Sequence, residues 1–201
     1  MKLYWCPRTR AFRAAWMLEE VGRPYERATI DIRNDAARAD PDFRAASPMG
    51  KVPAVVDGGV RLWDSGAICL YLADAYPDAG LDVPVGDPER GAFLQWTLYT
   101  NAVIEPAMGE KFGGRPVNTL QNGYGSFDLM IATLAAGLAP GPWIMGKRFT
   151  AADVLLGSSV HFMDVFKILP DNAALRAYAD RCRARPAFQR AAAFDAATPP
   201  A

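Results

Sequence analysis

Few cysteines, a single histidine, no excess charge and no long apolar run each remove a class of function from this chain. The three cysteines, Cys6, Cys69 and Cys182, are an odd number and widely spread, so they make no disulfide framework. A reducing cytoplasm suits such a chain. Lys+Arg and Asp+Glu number 22 each, giving a formal net charge of zero. That balance argues against nucleic acid or an anionic membrane surface as the main partner. No apolar run approaches the length needed to span a bilayer. Met1-Lys2-Leu3-Tyr4-Trp5 enters a strand pattern directly, without the charged and apolar regions of a secretory signal. His161 lies within an apolar helical run, and no triad or metal set accompanies it. It reads as a satisfied or partly buried histidine, and no metal is expected.

What is present is an ordinary globular composition. The 201 residues are 51% hydrophobic and 22% charged, enough for one large domain or two small ones. Leu3-Tyr4-Trp5-Cys6 reads as a strand stopped by Pro7. Apolar residues then recur at helical spacing from Thr9 to Val21, and Gly22-Arg23-Pro24 closes that helix. Tyr25 to Ile32 alternates as a second strand, and Asp35 to Ala46 makes a short, weak helix at best. Ala54-Val55-Val56 and Val60-Arg61-Leu62-Trp63 form a hairpin about Asp57-Gly58-Gly59, and a helix follows from Ser65 to Tyr76. The order β-α-β-α-β-β-α gives parallel strands first and an antiparallel edge last.

Pro77 to Asp87 is a linker by composition. Beyond it the pattern is helical. Glu89 to Phe112 is one long stretch that Pro106 should kink. Gly113-Gly114-Arg115-Pro116 breaks it, and Val117 to Leu138 reads as another helix, loosened by Gly123 and Gly125. Phe149-Thr150-Ala151-Ala152-Asp153 is a variant capping box opening an apolar helix that runs to about Leu169. Two Ala- and Arg-rich helices and a loose Ala/Pro tail finish the chain.

The most informative segment is Gly50-Lys51-Val52-Pro53-Ala54, with Asp64-Ser65 one hairpin later. Proline has no N–H for a ladder, yet Pro53 heads an apolar run. A cis Val52–Pro53 bond would leave the N–H and C=O of Val52 at an edge, where an extended peptide could add as a strand. Free N–H groups at the helix start by Ser65 can hold a carboxylate, and Asp64 can hold an amine. Together these would grip a short zwitterionic peptide. The same spacing also fits an ordinary hairpin followed by a capped helix.

Cys6-Pro7-Arg8-Thr9-Arg10, Leu18 to Glu26, the Gly50-Lys51-Val52-Pro53 turn, Asp64-Ser65 and the Thr150 box, in this order, resemble the soluble glutathione transferase family. The likeness covers nearly the whole chain. It implies an α/β thioredoxin-like N-terminal domain (residues 1–76), a linker (77–87) and an all-helical C-terminal domain (88–201). It also implies a homodimer, glutathione as co-substrate with no other cofactor, and an electrophile pocket between the domains.

By position, the resemblance assigns the cysteinyl part of glutathione to Val52, with Pro53 as the family's cis-proline. Ser65 takes the γ-glutamyl carboxylate and Asp64 its amine, although Asp64 is shorter than the Glu many members carry. Lys51 suits the glycyl carboxylate, or is simply solvated. Thr9 stands where serine-type members place their hydroxyl, and Thr is also a common helix cap. Arg10 adds positive potential or is a surface charge. Cys6 is a candidate thiol for mixed-disulfide chemistry or a small core residue. Trp5, Tyr99, Asn101, Ile104, Met108 and Phe112 are assigned to the hydrophobic-substrate pocket, although the helical set among them also fits plain core.

The chemistry requires a thiolate. A cysteine thiol with a pKa of about 8.5 is only a few per cent ionised at pH 7. Lowering it by about two units requires roughly 2.7 kcal/mol. The first expectation is a detoxifying glutathione transferase that uses Thr9. A glutathione-dependent disulfide or peroxide reductase using Cys6 is the second, and a non-catalytic interaction module is the third.

Overall fold

Strand β1 (Lys2–Trp5) lies inside a four-stranded sheet of order β2-β1-β3-β4. It pairs in parallel with β2 (Glu26–Thr29) and antiparallel with β3 (Ala54–Asp57), which in turn pairs antiparallel with β4 (Val60–Trp63). This is the thioredoxin-like order expected from the sequence. Successive side chains of β1 face opposite ways. Tyr4 packs on Phe43 at 5.5 Å between ring centroids, whereas Trp5 meets Phe194 edge-on at 5.2 Å.

The computed structural model describes residues 1–114 and 118–198. They fall into two units: Met1–Asp82 with the chain from Arg183 onward, and Val83–Cys182. The division lies inside the stretch read as a linker. Among the described residues no helix is long and apolar enough to cross a membrane.

In the first unit, α1 (Ala11–Val21) and α4 (Ser65–Ala75) pack together. Helix α1 is buried continuously from Ala11 to Leu18, so it has surface to give to more than one neighbour. Strand β2 is shorter than the alternation over Tyr25–Ile32 predicts. Turn chemistry ends it: the Arg33 N–H donates to the Asp31 carboxylate at 2.9 Å. The weak helix expected over Asp35–Ala46 is two short ones, α2 (Asp35–Arg38) and α3 (Pro41–Ala46). Pro41 cannot continue the first and suits the start of the second. Asn34 and Asp40 cap them, Asp40 accepting the Phe43 N–H at 2.8 Å.

The last helix, α10 (Pro186–Ala197), sits on α1. The expected all-helical domain over 88–201 includes this helix, whereas in the structure the chain from Arg183 onward belongs to the first unit. Phe188 meets Phe12 and Trp16 edge-on at 5.1 and 4.9 Å. Arg185 makes a two-point ion pair with Glu20 at 2.6 and 2.7 Å, and Arg190 pairs with Glu19 at 2.7 Å.

The second unit is helical. The long stretch before Gly114 is α5 (Arg90–Tyr99), a π-helical segment (Thr100–Ile104) and α6 (Glu105–Gly113). Pro106, at the start of α6, has no N–H to give, and the ladder widens just before it: the Glu105 N–H bonds the C=O of Thr100. The helix expected over Val117–Leu138 is only α7 (Phe127–Gly137). Gly125 takes φ +71° and Ser126 caps the helix, accepting the Leu129 N–H at 3.1 Å, so helix begins only there. Arg115, Pro116 and the Val117 start lie outside the described residues, as does the end of the Ala/Pro tail.

Helix α8 (Ala151–Val165) ends four residues before the predicted Leu169 and is buried continuously from Ala151 to Val160. Its capping box forms, with the Thr150 N–H donating to Asp153 Oδ2 at 3.0 Å. Asp153 Oδ1 also accepts the Ile144 N–H at 2.9 Å and the hydroxyl of Tyr178 at 3.0 Å, from α9 (Ala173–Arg183).

Candidate active site

The loop before β3 is shaped by one hydroxyl. Ser47, fully buried, donates to the C=O of Lys51 at 2.8 Å and accepts its N–H at 3.0 Å. Gly50 takes φ +64°, a left-handed conformation that favours glycine. The chain then turns through a cis Val52–Pro53 bond into β3. Among the described residues nothing pairs with the N–H or C=O of Val52. Ser47 carries no signal in the sequence beyond its loop position. Its role emerges only when Lys51 folds back on it.

The head of α4 lies one hairpin further on. Asp64, at φ +78°, caps the helix by accepting the N–H groups of Gly66 at 2.9 Å and Ala67 at 3.2 Å. Ser65 follows at the first helical position, 5% exposed. The guanidinium of Arg13, from α1, donates to its Oγ at 3.4 Å. Arg13 is itself only 1% exposed. The helical spacing of apolar residues over Thr9–Val21 does not single out this buried cation.

The turn between β1 and α1 carries the remaining candidates. Thr9 Oγ1 donates to the C=O of Cys6 at 2.7 Å and accepts the Ala11 N–H at 3.2 Å. Its hydroxyl therefore organises the turn and supports the helix start. Arg8, just before it, has φ +59° and gives its N–H to Asp195 of α10 at 3.0 Å. Cys6 is 3% exposed. Burial raises its thiol pKa, partly offset by a hydrogen bond from the backbone of Ile32. That environment disfavours a thiolate.

A cavity of about 250 Å³ joins two of these pieces. Thr9, Arg10, Ile32, Arg38, Gly50, Lys51 and Val52 line it. Thr9, Arg10, Lys51 and Val52 are thus brought together, with Pro53 next in the chain. Cys6, Asp64 and Ser65 do not line it. Ile32 and Arg38 do, and the sequence reading missed them. They come from a turn and a four-residue helix with no pattern of their own. Arg10, Lys51 and Arg38, the last paired with Asp35, line the cavity with no carboxylate among the lining residues, and that balance favours an anionic ligand.

The residues assigned to a hydrophobic pocket have varied surroundings. Trp5 is 2% exposed and packs in the first unit. In the second unit Ile104 and Met108 are buried core, and the Tyr99 hydroxyl donates to the C=O of Met130 at 3.0 Å. Asn101 is half-buried in the π-helical segment, and Phe112 is exposed, edge-on to Phe166 at 5.4 Å. His161 is half-buried, 5.9 Å from the ring of Phe162. No group of three or more His, Cys, Asp or Glu among the described residues is arranged to hold a metal.

Comparison with known proteins gives this geometry a family. Residues 1–74 match the glutathione S-transferase N-terminal domain, and residues 118–181 match the C-terminal domain. The chain is 27% identical over 194 residues to glutathione S-transferase GstA of Escherichia coli O157:H7, covering 95% of this chain and 96% of the relative. It is 28% identical over 203 residues to the disulfide-bond oxidoreductase YfcG of Escherichia coli K12, covering 94% and 93%. Among solved structures, a glutathione transferase from Methylococcus capsulatus superposes with a TM-score of 0.82 at 29% identity, covering 98% of this chain and 99% of the other. A sphingomonad glutathione S-transferase complexed with glutathione superposes with a TM-score of 0.77 at 27% identity, covering 98% and 100%. With its sheet order, cis-proline turn, capped α4 and both domain matches, the chain belongs to the glutathione S-transferase family.

Proposed function

We propose that this protein binds glutathione along the Val52 edge and joins its thiol sulfur to a hydrophobic electrophile, the whole tripeptide becoming part of the product. The observation that carries the reading is that Thr9 and the unpartnered backbone of Val52 line one cationic cavity. The cysteinyl backbone of glutathione pairs with Val52 as an added strand. Lys51 faces the glycyl carboxylate. Ser65 receives the γ-glutamyl carboxylate and Asp64, which already caps the Gly66 and Ala67 N–H groups, takes the amine. Glutathione is the co-substrate, and no other cofactor takes part.

The thiol loses its proton to solvent. Thr9 and Arg10 stabilise the resulting thiolate, Thr9 by turning its hydroxyl from the Cys6 carbonyl toward sulfur. The thiolate then attacks an electrophilic carbon. A carbon–sulfur bond forms as the bond to the leaving group breaks, and the leaving group departs with the electron pair. The donor is not consumed, as repeated conjugation requires. We extend the reading to a cytoplasmic homodimer that detoxifies such electrophiles.

A second reading is a glutathione-dependent disulfide or peroxide reductase, favoured by the relative named a disulfide-bond oxidoreductase. The burial of Cys6 weighs against its cysteine-based form. The test is retention on immobilised glutathione followed by two assays, conjugation of an activated aryl halide and reduction of a mixed disulfide. Retention with conjugation supports the transferase. Retention with reduction alone supports the second reading, and no retention leaves neither.

A further inference from the structure

We propose that Asp195, on the C-terminal helix α10, is a positioning residue for the thiolate-stabilising turn at Thr9. This inference rests on the glutathione transferase reading.

The turn from Cys6 to Ala11 is short and held mostly from within. Thr9 Oγ1 bonds the C=O of Cys6 and the N–H of Ala11. Arg8, one residue before Thr9, takes φ +59°. A side-chain-bearing residue in the left-handed region is disfavoured and persists only where its surroundings fix it. The Arg8 N–H finds its acceptor 187 positions away, on the Asp195 carboxylate at 3.0 Å. A charged acceptor makes this a stronger tether than a neutral one. The Arg8 side chain also favours the charged carboxylate, against the effect of burial.

Asp195 is itself well anchored. Helix α10 is tied to α1 by the Arg185–Glu20 and Arg190–Glu19 pairs and by Phe188 against Phe12 and Trp16. Its Phe194 packs on Trp5 at the end of β1 and lies 4.2 Å beneath the Arg27 guanidinium. The carboxylate at the next position is thus presented to the β1–α1 turn from a fixed platform. Asp195 does not line the cavity, whereas Thr9 does. Its effect on chemistry passes through the Arg8 backbone to Thr9. The sequence alone could not show this, because the last turns of an Ala-rich helix carry no motif.

The consequence is a split between catalysis and binding. The glutathione grip is assigned to Val52 and the head of α4, and neither Arg8 nor Asp195 lines the cavity. Loosening the turn therefore lowers kcat and raises the apparent pKa of bound glutathione thiol, while KM for glutathione stays nearly unchanged.

The test uses the full chain with Asp195→Ala, Asp195→Asn, Arg8→Gly and the Arg8→Gly/Asp195→Ala double variant. Asp195→Ala is expected to lower kcat for an activated aryl halide roughly tenfold and raise the thiol pKa, with KM for glutathione within about twofold. Asp195→Asn keeps an acceptor oxygen and stays near the parent. Glycine accepts positive φ without strain, so in the Arg8→Gly background the loss of Asp195 costs less than about threefold. Parental kcat and thiol pKa in Asp195→Ala overturn the inference, as does a double variant as slow as Asp195→Ala. If the parent binds no glutathione, the transferase reading falls and takes this inference with it. If the parent conjugates normally, those variant results overturn this inference alone.

Discussion

Arg13 and Ser65 meet out of solvent, Nη1 donating to Oγ at 3.4 Å, and so join the middle of α1 to the head of α4. A guanidinium that is 1% exposed is costly to bury unless its donors are used. Its position behind Ser65, the serine proposed to bind a carboxylate, accounts for its presence. It orients the hydroxyl and adds positive charge where the γ-glutamyl carboxylate is proposed to sit.

Arg13→Met keeps much of the volume and removes the charge. By the usual worth of a charge-assisted hydrogen bond, about 1.5–3 kcal/mol, glutathione affinity is expected to fall by roughly tenfold or more. Calorimetric titration checks it, with circular dichroism confirming that the variant is folded. An unchanged dissociation constant removes Arg13 from the site.

Asp153 provides a pH dependence in the helical unit. Burial pushes its carboxyl up to about 6, against the lowering effect of its bonds from Ile144, Thr150 and Tyr178. The folded value lies above the ordinary 3.8. Its contribution is therefore fully present below that ordinary value and is lost as pH rises through about 6. The difference amounts to about 3 kcal/mol at most between pH 4 and 7. Asp153→Asn cannot titrate there. It also loses an acceptor, because an amide nitrogen cannot take the Thr150 N–H. Urea unfolding at both pH values is expected to show a less stable variant that lacks this loss. Parent and variant with the same pH slope contradict the assignment.

The thiols should be quiet. Cys6, Cys69 and Cys182 are all buried, and burial pushes Cys69 up to about 12. Reaction with iodoacetamide at neutral pH is expected to be slow in the folded protein and fast in urea. Mass mapping identifies any site that reacts. Rapid native modification at Cys6 favours the reductase reading.

Much of the first unit was legible in the sequence because its signals are local. Pro53 before an apolar run, Gly58-Gly59 between two strands and Asp64 before a helix each constrain the backbone where they stand. The Thr150–Asp153 box was legible for the same reason. What escaped depends on contacts distant in sequence. Arg13 sits in an Ala- and Arg-bearing helix, where an arginine usually faces water, and only the packing of α1 on α4 buries it. Arg38 and Ile32 reach the cavity from short turns without periodicity. The place of α10 depended on the Glu20–Arg185 and Glu19–Arg190 pairs, which no pattern in an Ala-rich segment announces. The helix read from Val117 was overextended because apolar content outweighed Gly125 and the Ser126 cap.

The most direct measurement of the central claim is the pKa of bound glutathione, read from thiolate absorbance in the parent, Thr9→Ala, Thr9→Ser and Cys6→Ala. Loss of a hydroxyl donor worth about 1.5 kcal/mol or more to the thiolate corresponds to a rise of about one pH unit or more. Thr9→Ala is expected to show that rise and to slow conjugation, while Thr9→Ser and Cys6→Ala stay near the parent. A parental pKa in Thr9→Ala, with activity lost in Cys6→Ala instead, contradicts the mechanism and puts a cysteine-based reductase in its place.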